Sequence, residues 1–146
     1  MSEIQTELRE RLIGTQCCNF RLLEGGTLIL FLQGDGSFGG AIAKGRFWLN
    51  CAWRLCIQGQ IVVGSLDQPD LILGELNNRL VGKVVLDVLV AEVTKDVRLM
   101  FSGDLTINGF CYFTDGEQWE YRATDGLRLG IGAKLTPFER YEAPDK

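Results

Sequence analysis

Residues 7–14 read ELRERLIG, and residues 75–82 read ELNNRLVG. Five of the eight positions are identical at an offset of 68 residues, and Ile13 stands where Val81 does. Around the two copies, Ile4, Leu8 and Leu12, and again Ile72, Leu76 and Leu80, recur at i, i+4 and i+8. That spacing puts apolar side chains on one helical face. Ser2 and Asp70 fall at N-cap positions, Pro69 blocks extension backward, and Gly14 and Gly82 suit a helix C-terminus. Similarity at a fixed offset, with matching punctuation, is the mark of a repeated unit.

The same order follows each helix. Strand-like segments cover 15–23 and 83–92, and apolar strands then end in Phe31 and Phe101. Glycine-containing turns lead to tryptophan strands at Trp53 and Trp119, and then to apolar segments at 61–63 and 127–129. This predicts an α+β fold with two similar halves, each a helix plus about four strands, in mostly antiparallel sheet with two helices packed on it. The expected organisation is one compact domain over 1–146, with repeats at about 2–68 and 70–136. A polar tail at 137–146 is expected to fray after Tyr141. A half of this size is marginal alone, so the halves are expected to share one core about an approximate two-fold.

Composition narrows the chemistry. The net charge of −4 disfavours general nucleic-acid binding, because an acidic chain repels phosphate backbones. The opening MSEIQTELRE has neither a basic nor an apolar leader segment, and the run TLILFL at 27–32 is too short to span a bilayer. A cytoplasmic protein without membrane contact is expected. Its five cysteines, Cys17, Cys18, Cys51, Cys56 and Cys111, form no C-x-x-C pair and read as reduced core residues. The absence of histidine removes the usual general base, Ser-His-Asp and Cys-His sites, and histidine-bound zinc. The glycine-rich stretch GDGSFGG at 34–40 lacks the phosphate-loop pattern and reads as a turn. The sequence therefore points to no catalytic residues, no metal and no cofactor.

Strand alternation assigns faces. Phe47, Leu49, Cys51, Trp53 and Leu55 share one side and read as core. Trp48, Asn50 and Arg54 share the other, where Trp and Arg form a candidate partner-binding anchor. Asp115-Gly116 predicts a two-residue hairpin that pairs Tyr112 with Trp119 and Phe110 with Tyr121, gathering four aromatics on one face. Its tip and outer face then carry Asp115, Glu117 and Glu120, a second candidate partner-binding patch that would suit a basic partner protein.

The strand DVRLMF (96–101), the following Gly103, the strand around Trp119, and CAWRL (51–55) resemble a loose group of small bacterial domains of unknown function. Some members are encoded near polymorphic toxin systems and are regarded as immunity proteins. The resemblance spans about half the chain and implies a non-enzymatic binding role in a bacterial cytoplasm. The expected function is thus a protein-binding module, of inhibitor or immunity type. Two alternatives stand beside it: a small-molecule-binding module with a crevice between the halves, and an assembly subunit with a symmetric self-interface.

Overall fold

The computed structural model describes residues 3–34, 44–111 and 116–142. Helix α1 (Glu3–Leu12) is followed by β1 (Gln16–Leu22), β2 (Leu28–Gln33), β3 (Lys44–Leu49), β4 (Ala52–Ile57) and β5 (Gln60–Gly64). Helix α2 (Pro69–Arg79) is followed by β6 (Val85–Val90), β7 (Val97–Phe101), β8 (Leu105–Phe110), β9 (Trp119–Ala123) and β10 (Leu127–Ile131). A short 3-10 turn (Ala133–Leu135) then leads to β11 (Pro137–Tyr141). The class is α+β: two helices and two antiparallel sheets. Among the described residues, no helix is long and apolar enough to cross a membrane.

The first sheet runs β1-β2-β3-β9-β10-β11, and the second runs β5-β4-β8-β7-β6. The first therefore combines three strands from before α2 with three from after it, and the second combines the β4–β5 hairpin from before α2 with three strands from after it. The chain turns from the first sheet into the second at Asn50 and Cys51, and β9, in the first sheet, follows β8 of the second. Across that corner, β3 pairs with β9 and β4 pairs with β8, and the Asn50 amide donates to the Gln118 carbonyl at 2.9 Å. At a second seam, Gln16 bridges Val84. There the Cys17 amide donates to the Lys83 carbonyl at 2.8 Å, and the Val85 amide to the Thr15 carbonyl at 2.8 Å. The Gly14 amide donates to the Val85 carbonyl at 2.9 Å, and the Gly82 amide to the Cys17 carbonyl at 2.7 Å.

The helical stripes are buried as their spacing requires. Leu8, Leu12, Ile72, Leu76 and Leu80 are within 1% of fully buried. Helix α1 packs on β6 and β10, and α2 packs on β5. Gly14 and Gly82 hold φ of 92° and 93°, the left-handed conformation that ends each helix. Helix α2 is capped at Gln68 and starts on Pro69, so Asp70 lies in its first turn instead of at its cap. The candidate cap Ser2 lies outside the described residues.

Each half buries a tryptophan by the same means. The Trp53 indole donates to the Gly26 carbonyl at 2.8 Å, in the β1–β2 turn, and Trp119 donates to the Lys95 carbonyl at 2.8 Å, in the β6–β7 turn. A satisfied N–H lets the large ring enter the core without stranding a polar atom. The alternation over 47–55 is obeyed, with Phe47, Leu49, Cys51, Trp53 and Leu55 buried.

Three expectations need correction. The 44–57 segment is two strands in two sheets, because the break at Asn50 and Cys51 preserves the alternation while changing sheets. Phe110 pairs with Ala52, and Tyr121 with Phe47 and Leu129, so no hairpin joins β8 to β9. Tyr112 and the candidate turn residue Asp115 lie outside the described residues, as does most of the glycine-rich stretch. Finally, 137–141 is not tail but strand β11, anchored to β10 by a continuous ladder from Leu127↔Tyr141 to Ile131↔Pro137.

Gly45 gives the packing a sharp test. A Cβ there would lie 2.5 Å from the Tyr121 hydroxyl oxygen and 2.6 Å from its ring, whereas a Cβ on Gly74, in α2, would meet nothing within 4 Å. In urea titrations, Gly45→Ala should lose about 1–3 kcal/mol through overpacking. Gly74→Ala should gain about 0.5–1 kcal/mol through helix propensity.

Candidate binding face

The outer face of the first sheet carries the densest constellation of charge in the described structure. Strand register builds it in two rows. One row crosses all six strands as Asn19, Phe31, Arg46, Arg122, Arg128 and Arg140. The adjacent row crosses as Arg21, Ile29, Trp48, Glu120, Gly130 and Phe138. Four arginines thus stand directly opposite one another on neighbouring strands, about 4.8 Å apart per strand. Like charges in that position repel.

Glu120 relieves the repulsion. Its side chain is 0% exposed, and its carboxylate accepts hydrogen bonds from Arg122 Nε and from Arg128 Nε at 3.2 Å and Nη2 at 2.7 Å. Arg128, 13% exposed, reaches on to Glu142 at 2.7 Å and to Glu117 at 3.6 Å. Arg140 lies 3.5 Å from both of those carboxylates. Gly130 contributes by having no side chain: a Cβ there would sit 2.7 Å from the Glu120 Cβ.

Aromatic rings hold three of the guanidiniums. Arg122 lies over Trp48 at 4.3 Å, Arg46 over Phe31 at 5.0 Å, and Arg140 over Phe138 at 4.9 Å. Stacking fixes a guanidinium's plane and leaves its edge to donate. The Trp48 indole nitrogen is buried beneath this layer with no hydrogen-bond partner among the described residues. Arg21, Lys44 and Arg46 are exposed and form no ion pair among the described residues. Six cations (Arg21, Lys44, Arg46, Arg122, Arg128, Arg140) face three carboxylates (Glu117, Glu120, Glu142), a local net of +3 on a chain of net −4.

The residues singled out from sequence divide accordingly. Trp48, Glu117 and Glu120 come together on this face, and Asn50 stands at its corner. Glu120 does point away from the core, as its alternation requires. It is nevertheless buried under arginines, and Glu117 is paired, so the two do not form a free acidic patch. Arg54 does not join them. It lies on the outer face of the second sheet, opposite Asn108 and Gly64, over the Phe110 ring at 4.9 Å. The second row-mates, Arg46, Arg128 and Arg140, were passed over by sequence reasoning. Their only local signal is that each is an outward position in a strand-like segment.

Other surfaces offer less chemistry. A groove of about 470 Å³ runs between α1 and the second sheet, past Gln5, Asp96, Arg98 and Asn108. Three of its acceptors are engaged: Gln5 Oε1 accepts the Val90 amide, Asp96 Oδ1 the Cys111 amide, and Asn108 Oδ1 the Arg98 Nε. The five thiols are free. Burial raises Cys17, Cys51 and Cys111 to about 12, so they stay protonated and poorly nucleophilic at neutral pH. Among the described residues, no group of three potential ligands could hold a metal ion. The chain matches no protein-family model, no curated protein and no solved structure.

The buried carboxylate makes Arg128 the structural member of the row. Arg128→Ala should cost up to about 3–5 kcal/mol in chemical unfolding, because it leaves the buried Glu120 carboxylate with Arg122 alone. Arg46→Ala should cost only about 0.5–1 kcal/mol, the worth of an exposed cation–π contact.

Proposed function

We propose that the protein is a non-enzymatic binding module that receives a partner protein on the outer face of its first sheet. The observation that carries this reading is the row Arg46, Arg122, Arg128 and Arg140, braced on aromatic rings. The second sheet has the same strand plan, and its corresponding outer rows hold Ile61, Cys56, Thr106, Met100 and Asp87, and Gly64, Arg54, Asn108, Arg98 and Leu89. The architecture therefore does not itself require an arginine row. Trp and Arg are the residue types that dominate binding hot spots. The burial-raised Cys17, Cys51 and Cys111 and the lack of histidine favour binding over turnover. An inhibitor or immunity protein, which silences another protein by occupying it, is the form of binding this reading favours.

We also infer that the halves are repeats of one unit. Adding five to each strand number carries β1-β2-β3 into β6-β7-β8 and β4-β5 into β9-β10, which turns one sheet's order into the other's. The four seam hydrogen bonds fall into two pairs related by the same 68-residue offset that relates the helices. Among the described strands, only β11 has no counterpart. An experimental structure in which 3–64 failed to superpose on 69–131, strand for strand, would overturn the repeat.

A photo-crosslinking residue at position 44 tests the face, with one at exposed Ile61 on the other sheet as control. In the native host, position 44 should give one discrete protein adduct and position 61 none. Equal labelling at both positions, or no protein adduct at 44, would refute the proposed face.

A further inference from the structure

We infer that the partner presents an acidic segment, whose aspartate or glutamate side chains are received by Arg46 and Arg122 beside Trp48. This rests on the binding face proposed above and names the chemistry of what it holds.

The chain's own side chains demonstrate the recognition. Three guanidiniums of the row are already met by carboxylates: Arg122 and Arg128 by Glu120, and Arg128 and Arg140 by Glu117 and Glu142. The row continues to Arg46, which has the same setting and no carboxylate among the described residues. Arg122 is 39% exposed and has only its Nε engaged by Glu120 in the described contacts. Arg46 and Arg122 are directly opposite on β3 and β9. Each lies over an aromatic ring, Arg46 over Phe31 and Arg122 over Trp48, and each guanidinium keeps N–H groups free for the planar fork that carboxylates match. Lys44, two residues before Arg46 on β3, and Arg21, across β2 on β1, extend the positive field.

A protein carboxylate fits better than a nucleic acid. The three rings that could stack on bases are covered by guanidiniums. The interleaved Glu117, Glu120 and Glu142 and the net charge of −4 oppose a long phosphate backbone. A short acidic stretch meets only the local excess of cations.

The test uses the full chain, with poly-L-glutamate, poly-L-lysine and oligo(dT) as probes. Poly-L-glutamate should bind, weaken steeply with salt, and bind Arg46→Glu at least about tenfold more weakly. Arg46→Lys should recover only part of the affinity, since it keeps the charge but loses the planar fork. Arg46→Glu breaks no ion pair among the described residues, and an unfolding midpoint lowered no further than by Arg46→Ala would show that the loss is local. Poly-L-glutamate binding that ignores position 46, or oligo(dT) binding more tightly than poly-L-glutamate through Arg46, would overturn the inference. If the position-44 adduct persists in that event, the face stands and only its carboxylate chemistry falls. Loss of the adduct as well removes the face itself.

Discussion

Strands β3 and β4 run antiparallel to β9 and β8 on either side of a common corner, and both sheets hang on that pairing. Where β3 gives way to β4, the Asn50 amide reaches the Gln118 carbonyl and keeps the ladder intact through the bend. Each sheet is thereby built from both halves of the chain. Neither half can form a complete sheet without the other, and the apolar faces of both sheets close on one core. The seam at Gln16 and Val84 joins the outer strands β1 and β6 in the same way. An edge strand left open there would invite pairing with other chains, and the seam instead uses those backbone groups internally.

This construction also explains why a row of arginines can exist. Register places Arg46, Arg122, Arg128 and Arg140 side by side on strands drawn from both halves. Their mutual repulsion would strain the sheet if nothing opposed it. Glu120 sinks between Arg122 and Arg128 and is saturated by them, and Gly130 beside it leaves the room. A buried ion cluster of this kind adds little net stability, because desolvation offsets most of the attraction. Its consequence is positional. Guanidiniums locked by a buried carboxylate and by aromatic rings lose little further freedom when they meet a ligand, which is the general advantage of preorganisation.

Much of the fold was legible in the sequence for a simple reason: helices and strand faces are local. The stripes Ile4-Leu8-Leu12 and Ile72-Leu76-Leu80 and the alternation from Phe47 to Leu55 each record burial within a few residues. What crosses the chain was not legible. The alternation over 47–55 is blind to the change of sheet at Asn50, because two residues of corner keep the parity unbroken. The Asp115-Gly116 signal suggested a local hairpin, yet Trp119 and Tyr121 are claimed by β3 and β10, whose apolar faces bury them completely. Likewise Glu120 looked like a surface charge, since its outward parity was right. Its burial depends on Arg128, eight residues on and on the next strand, and on Trp48, seventy-two residues earlier.

The two sheets differ most in what their outer faces carry. The second sheet's outer row of Ile61, Cys56, Thr106, Met100 and Asp87 carries a single charge. The first sheet instead adds a sixth strand. Strand β11 supplies little to the core, since four of its five residues are exposed. What it supplies to the outer face is Arg140 and Phe138, one more stacked guanidinium at the end of the row, with Glu142 following to meet Arg128. A strand that extends a charged face while burying almost nothing is hard to explain by stability. It is accounted for if the face has a use, with Trp48 and Glu120 at its centre and exposed Arg46 toward its other side.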